Sequence, residues 1–473
     1  MRRDELAGST SGMEAAMLLD ARHHQRPVSE KLEAAVIDRT AEGRFEVHPD
    51  AYADKDLFDL EMEYIFERTW SFLGIEAQVR EPHDFFTTSI GRSPILVTRD
   101  KDGALGAFLN ICRHKAAILC REEEGRAKVH SCLYHHWSYD SSGKNLAMKD
   151  KTLGCYPEAF EKGDHGLIRI ARIDTYKGLI FGSLSADVPA LGDFLGDMRF
   201  FIDLVMDQDK NGMEFIPGRA PYYFNANWKL QLDNGLDPYH VTSAHASLVS
   251  LKKKRSSNVD PKTVRTRDWD QHEGGGHHAF NFPNGHAAYV LEAIDPEKQP
   301  LYEMLPELTD RFGKDIADAM LNGYQLHIFP NLQIANSAAG IFRKFHPVAV
   351  DRTEMQVRCL GGVGEPVARR ALRLRQFEDF FNASGLASPD DSVLYEGCQS
   401  GFQSARPPYL QGYSRGLSIM VEGANDEARR FGLNPLQSLS SAGRTAAEIN
   451  LYSPYREWQR MLKAGLEGRP SYE

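Results

Sequence analysis

The period of apolar and polar positions changes along this chain. From Leu57 to Trp70 the run LFDLEMEYIFERTW sets Leu57, Leu60, Ile65, Phe66 and Trp70 at helical spacing, which predicts an amphipathic helix. The period then shortens. FFTTSI (85–90), PILVTRD (94–100), GAFLNIC (106–112), KVHSCLY (128–134) and GLIFGSL (178–184) are short strand-like runs between Gly, Asp and Lys turns, predicting a small all-β region. LGDFLGDMRFFIDLVM (191–206) returns to helical period. Beyond Met213, strands are predicted near 214–225, 278–291, 324–336, 339–347 and 353–361, and helices near 237–250, 301–322, 366–384 and 389–400. Many strands with helices grouped around them read as α+β, an antiparallel sheet carrying helices. The Gly-rich stretch EGGGHHAFNFPNGH (273–286) reads as a long mobile loop, a candidate lid, with His272, His277, His278 and His286 solvated.

Composition narrows the class. At 473 residues the chain has room for two or three domains, and 42% hydrophobic residues suffice for a sizeable core. A net charge of −10, from 66 acidic and 56 basic residues, argues against nucleic acid or an anionic membrane as the main partner. The six cysteines are too sparse for a disulfide scaffold and suit a reducing compartment. Arg2 and Arg3 are followed by no apolar segment of export length, and no run of about eighteen apolar residues appears. The expectation is a cytoplasmic protein with a poorly ordered N-terminal extension over residues 1–40.

Two ligand pairs fall at strand ends of the all-β region: Cys112-x-His114 and Cys132-x-x-His135. Two thiolates and two imidazoles at this spacing can hold a [2Fe–2S] cluster of the Rieske kind, with two Cys on one iron and two His on the other. A zinc site uses the same residue types, so the pairs alone leave both open. No other Cys or His completes a site around Cys120.

A second constellation lies in NWKLQLDNGLDPYHVTSAH (227–245). His240 and His245 are five apart, a rotation of about 140° on a regular helix, so they share a metal only if the helix is distorted or the ion sits between its flanks. The plain alternative is a helix start, with Asp237 as N-cap and Pro238 at the first position. The metal reading needs a carboxylate from elsewhere; two His and one carboxylate on one face of Fe(II) leave positions open for dioxygen and substrate. ASGLASPDDSVLYEGCQ (383–399) offers Asp390 or Asp391, although Ser388-x-x-Asp391 is also a capping box. Residue spacing does not choose between the two.

Taken together, CRH…CLYHHW (112–137), WKLQLDNGLDPYHVTSAH (228–245) and FEDFFNASGLASPDD (377–391) resemble the large (α) subunit of Rieske non-heme iron aromatic-ring-hydroxylating dioxygenases, most similarly the benzoate/anthranilate branch. The resemblance runs from about Leu57 to the C-terminus. It implies Cys112, His114, Cys132 and His135 on the cluster, and His240, His245 and Asp391 on a mononuclear iron. It also implies Asp237 as the acidic bridge between His135 of one subunit and His240 of its neighbour, with Asn234 close to the iron. The implied fold is a small all-β Rieske domain, inserted into or preceding a larger catalytic domain of antiparallel sheet plus helices in a helix-grip arrangement. The expected boundaries are 41–69 for an N-terminal helical part, 70–188 for the Rieske domain and 189–473 for the catalytic domain.

The implied function is cis-dihydroxylation of an aromatic substrate, such as a benzoate or anthranilate, with O2 and electrons from NAD(P)H delivered by a separate reductase and optionally a ferredoxin. A β subunit in an α3β3 assembly, or an α3 homotrimer, is the implied oligomer. A Rieske monooxygenase or demethylase, or a dioxygenase of larger hydrocarbons or aromatic amines, uses the same ligands and is the alternative. Expected pocket linings are Leu236, Val241, His327, Phe329, Asn331, Gln333, Phe342 and Leu386, with Arg343 available to a carboxylated substrate. Four residues depart from the family pattern: Lys115-Ala116 where Arg-Gly is common, Leu133 where Pro is common, and His136 where Gly is common. A lost Gly in a tight loop threatens its backbone path.

Overall fold

The computed structural model describes residues 26–472, apart from 220, 248–249, 252–253, 255–275, 294–295, 337–339, 405–407 and 443–446. His272 lies outside the described residues. Part of the stretch expected to be loosely ordered is structured: Val28–Ala34 is helical and Val36–Arg39 pairs with Arg44–Val47. Leu32 and Ala35 are fully buried there, and Lys31 forms a 2.6 Å ion pair with Asp54, so this segment is fixed by both packing and charge.

The small all-β part contains three sheets. Strands Leu105–Leu109, Ser93–Arg99, Asp84–Ile90 and Glu124–Arg126 form one, in that order. Val129–Ser131, Ser138–Asp140 and Asn145–Ala147 form another. In the third, Leu179–Ser183 is the middle strand, paired with Ser71–Ile75 on one side and Arg172–Tyr176 on the other. The catalytic part is built on an antiparallel sheet whose longest hairpin is Gly340–Ala349 with Arg352–Gly362. From that hairpin the sheet runs through Leu332–Asn336, Gly323–Ile328, Ala287–Leu291, Gly276–Asn281 and Gln437–Ala442. The predicted strand at 214–225 is two, Met213–Phe215 and Tyr222–Phe224, both paired to 352–362.

The lid expected at 273–286 is corrected over its described part. Gly276–Asn281 is an inner strand, bonded on one side to 287–291 and on the other to 437–442. Its glycines conceal an apolar, β-forming HHAFN run. The histidines are buried and partnered: His277 Nδ1 lies 2.7 Å from the Tyr289 hydroxyl, and His278 sits between Ser440 and Glu292. His286 lies 2.9 Å from the Phe194 carbonyl and accepts from the Phe329 amide, and burial lowers its pKa to about 4.

Side chains alternate across the central hairpin, and this alternation separates two layers. One face carries Ile334, Phe342 and Leu360 against the 198–206 helix and against Phe72 and Phe181 of the Rieske part. Phe342 lies 5.9 Å from Phe72 and 5.5 Å from Phe215, so it belongs to this face and not to a substrate pocket. Asn331 is corrected likewise: its amide accepts from Phe72 N at 2.8 Å and donates to Phe72 O at 3.2 Å, stitching the two parts together. Lys344 also crosses, donating to Thr88 and to the Ser89 carbonyl. The opposite face bears Gln333, Arg343 and Val357, paired in register across neighbouring strands.

Over that second face lies helix Trp228–Leu236, which the hydrophobic period does not predict. Its polar residues hide it, because several are buried. Asn227 caps it, accepting from Lys229 N at 3.1 Å. Glu61 is fully buried and accepts from Trp228 Nε1 at 2.8 Å, from Trp458 Nε1 at 2.7 Å and from the Lys229 ammonium. One turn on, Asp233 accepts from the hydroxyls of Tyr52, Tyr413 and Tyr455 at 2.6, 2.9 and 2.8 Å. Burial raises the Asp233 pKa to about 7. Below the helix, Gln333 Nε2 donates to the carbonyls of Gln231 and Leu232. A Cβ on Gly235 would meet the Gln333 amide at 2.1 Å, so only glycine allows this approach.

Removing one partner of a buried pair strands the other charge at a cost of about 3–5 kcal/mol. Glu61→Ala is therefore expected to lower the unfolding free energy of the metal-loaded protein by about that amount. Urea denaturation followed by circular dichroism checks this, and an unchanged midpoint would remove Glu61 from its anchoring position.

Candidate functional site

The two ligand loops of the β part have the same backbone plan. Cys112 N donates to Ala117 O and Ala116 N to Cys112 O, at 2.8 and 2.9 Å. Cys132 N donates to Trp137 O and His136 N to Cys132 O, at 2.9 and 2.8 Å. Each loop turns through a left-handed residue, Ala116 at φ 55° and His136 at φ 56°. These are the two positions where the sequence lacks glycine. The tight path is kept with a Cβ in place, at a conformational cost of about 1–2 kcal/mol each.

The two loops bring their ligand side chains together. His114 Nδ1 and His135 Nδ1 lie 3.1 Å apart, while the sulfurs of Cys112 and Cys132 are buried behind them. Trp137 stacks on His114 with centroids 5.1 Å apart and planes at 10°. The Tyr139 hydroxyl lies 3.4 Å from Cys112 Sγ and accepts from Arg113 N. Burial raises the Tyr139 pKa, which keeps the hydroxyl a donor to sulfur. Soft thiolates inside and two paired imidazoles outside suit the two chemically distinct irons of a Rieske cluster. Beside His135, Leu133 and Tyr134 are 67% and 62% exposed, an apolar tip at the molecular surface.

The second constellation also converges. His240 and His245 flank a single helical turn, Val241–Ala244, not the long helix predicted over 237–250. Asp237 is corrected from N-cap of that helix to the residue ending helix 228–236, in extended conformation, where it accepts from Tyr239 N. This break solves the five-residue spacing: His240 precedes the turn and His245 follows it, with ring centroids 5.3 Å apart. Asp391 Oδ1 lies 3.7 Å from His240 Nε2 and 3.3 Å from His245 Nε2. Adjacent ligands about 2.1 Å from one ion are roughly 3 Å apart, so these three atoms fit a shared metal.

The capping-box alternative fails. The Ser388 hydroxyl donates to Phe381 O at 3.0 Å, and helix Ser388–Phe402 has no side-chain cap, which leaves Asp391 free to face the histidines. Asp390 takes a different place, its Oδ2 3.5 Å from His245 Nδ1. Asp237 Oδ2 stands 3.3 Å from His240 Nδ1. Each imidazole thus has a carboxylate at Nδ1, a position that favours the tautomer presenting Nε2 to the metal. Asn234 Nδ2 donates to Asp391 Oδ1 at 3.1 Å and lies 3.2 Å from His240 Nε2. Burial pushes the Asp391 pKa up, against the pull of His240, His245 and Arg343. Burial lowers the His245 pKa, whereas at His240 the neighbouring carboxylates outweigh it and raise the value.

The expected pocket residues separate. Val241 and Arg343 lie on the metal side of the sheet, and Leu386, 36% exposed, lies in the turn that follows Phe380 and Phe381. Leu236, the last residue of the helix, and Phe329 and His327 on the sheet side are buried core residues, and Gln333 is occupied by helix carbonyls. His327 is fully buried, and among the described residues neither ring nitrogen has a partner. Sequence reasoning misses Asp390 as a partner of His245, and misses Phe380 and Phe381. The doublet is visible in FEDFFNASG, but its neighbours are not: Phe380 lies 5.7 Å from His245, and Phe381 lies beneath Arg343.

Comparison with known proteins agrees with these two centres. Residues 69–157 match the Rieske [2Fe-2S] domain, and residues 206–432 match the ring hydroxylating alpha subunit catalytic domain. The toluate 1,2-dioxygenase α subunit of Pseudomonas putida is 38% identical, covering 92% of this chain and 94% of that relative. The 2-halobenzoate 1,2-dioxygenase large subunit of Burkholderia cepacia is 36% identical, covering 94% and 95%. Among solved structures, naphthalene 1,2-dioxygenase from Rhodococcus sp. superimposes with a TM-score of 0.75 at 24% identity, covering 89% and 94%, which shows a shared fold.

Two measurements probe the centres. Asp391→Ala should lose the mononuclear iron, whereas Asp390→Ala should keep it with affinity reduced about 10- to 100-fold; iron analysis of reconstituted protein reads both, and the reverse order would exchange the two roles. Ala116→Gly and His136→Gly should each stabilise the Rieske part by about 0.5–1 kcal/mol, the left-handed strain relieved less the entropy glycine adds to the unfolded chain. Thermal loss of the cluster's visible absorbance checks this.

Proposed function

Because this chain belongs to the α subunits of Rieske ring-hydroxylating dioxygenases, we propose that it dihydroxylates an aromatic carboxylate of the benzoate, toluate or anthranilate kind. The observation that carries the reading is the meeting of His240 Nε2, His245 Nε2 and Asp391 Oδ1 around one point. Support for a carboxylated substrate comes from the relatives: toluate, 2-halobenzoate and anthranilate dioxygenases match over at least 90% of this chain.

In this reading Cys112, His114, Cys132 and His135 hold the [2Fe–2S] cluster, and His240, His245 and Asp391 hold the iron. Bound there, the two centres supply one-electron transfer and the activation of dioxygen. The chain's own residues do the rest. Asp237 and Asp390 accept from the imidazole Nδ1–H groups and hold both rings in orientation. Asn234 holds the Asp391 carboxylate by its amide. The apolar residues of the 377–387 segment exclude water from the substrate side.

Asp237 has a second task in this proposal. Its carboxylate is 19% exposed while facing His240, so one edge remains open to a neighbouring molecule. There it accepts a hydrogen bond from His135 of the partner subunit, giving a short route between centres on different chains. The protein works as part of a multicomponent system with a separate reductase; an α3β3 assembly, or an α3 trimer, supplies the subunit contact.

With purified oxygenase, a surrogate reductase, benzoate and 18O2, both oxygen atoms of the cis-diol should carry label; one labelled atom would assign a monooxygenase. Asp237→Ala should retain a cluster reducible by dithionite while turnover falls about 100-fold. Full activity in that variant would place the route elsewhere.

A further inference from the structure

Arg343 is an ionised side chain with no anion assigned to it. It projects from strand Gly340–Ala349 on the face that carries Gln333 and Val357, the face toward the metal-binding helices. It is only 7% exposed, yet among the described residues it has neither an ion pair nor a hydrogen bond. Its guanidinium lies over Phe381, whose ring centroid is 5.1 Å from the guanidinium carbon. A cation–π contact contributes about 0.5–2 kcal/mol. Withdrawing a charge from water costs several kcal/mol, so the ring alone does not offset the burial. The other buried cations on this framework are served differently: Lys229 has Glu61, Arg373 has Glu365 and Lys344 has Thr88 with the Ser89 carbonyl.

The position is tied to the metal site by a short chain of rings. Phe381 and Phe380 are 4.3 Å apart at 76°, and Phe380 is 5.7 Å from His245. Arg343 is also close enough to act electrostatically on Asp391 and on the buried Tyr222 hydroxyl. Two apolar rings thus separate His245 from the Arg343 guanidinium on the sheet. A guanidinium offers parallel N–H donors that match a carboxylate in two-point contact.

We propose that Arg343 is the specificity-determining residue that binds the carboxylate of the aromatic substrate. The charged pair anchors the acid group on the sheet side, and the ring rests among Phe380, Phe381 and Val241. This rests on the dioxygenase reading above and deepens it. A neutral aromatic of the same shape would leave the guanidinium buried and unpaired. Discrimination therefore arises both from the ion pair formed with the acid and from the uncompensated burial that the neutral compound leaves behind.

The test uses the metal-loaded oxygenase, with benzoate and its neutral isostere benzamide as probes in calorimetric titration. Wild type should bind benzoate at least about tenfold tighter than benzamide. Arg343→Met, at unchanged iron content, should abolish that preference, and Arg343→Lys should keep part of it. Equal binding of the two probes by wild type, no binding of either, or a full benzoate preference in Arg343→Met overturns the proposal. If Arg343→Met does not fold, the wild-type comparison and Arg343→Lys decide. Toluene oxygenated with two labelled atoms but no preference for benzoate would sink this inference and leave the dioxygenase reading intact. Benzoate preference dependent on Arg343 without any oxygenated aromatic product would do the reverse.

Discussion

The buried charge cluster on helix 228–236 is the constraint on which the catalytic half depends. Glu61 gathers two indole N–H groups and the Lys229 ammonium, and Asp233 gathers three tyrosine hydroxyls. A buried ion is tolerated only when its bonding capacity is filled, so these contacts fix the helix in position and rotation. They also draw together segments far apart in the chain: residues 52 and 61, the helix itself, residue 413 and the 452–466 helix. Asn234 follows Asp233 directly, and Gly235 presses against Gln333. Asn234 and Asp237, which contact Asp391 and His240, are thus carried by the end of a helix that cannot shift without stranding charge.

The same economy of buried polar groups shapes the junction between the two parts. Asn331 saturates both backbone groups of Phe72, and Lys344 reaches into the 84–90 strand. The apolar residues around them form one continuous cluster containing Phe72, Phe181 and Phe342. Within one chain, then, the Rieske part packs on one face of the sheet while His240, His245 and Asp391 lie over the other. That placement leaves the loop tip at Leu133 and Tyr134, beside His135, exposed and the Asp237 carboxylate partly so.

Chemistry at both centres depends on how imidazoles are held. At the cluster site Trp137 supports His114 by stacking. At the second centre Asp237 and Asp390 stand at Nδ1 of His240 and His245, whose Nε2 atoms lie toward Asp391. Arg343 stands apart from this pattern: it lies over a ring and, among the described residues, is bonded to no carboxylate. Its isolation is informative because the other buried cations of this framework all have partners.

Local sequence determined what is locally encoded. Cys112, His114, Cys132 and His135 were legible because their spacing within two tight loops is the chemistry, and the strands and late helices followed from hydrophobic period. His240, His245 and the two aspartates were legible as residue types. What only the tertiary structure decided is which groups meet. Asp390 and Asp391 are neighbours in sequence, but a helix turns about 100° between them, and packing of the 388–402 helix aims Asp391 at Nε2 of His240 and His245 and Asp390 at His245 Nδ1. Helix 228–236 was obscured because buried polar residues such as Lys229 break the apolar pattern while being satisfied by distant partners, and at 276–281 the strand expected near 278–291 competed with a loop reading of the neighbouring glycines. Ala116 and His136 looked like disruptions of a loop; the two backbone hydrogen bonds within each loop hold them in the left-handed path. For the helix, the strand and the metal ligands alike, the deciding energy is a contact between segments far apart in sequence, which no local pattern records.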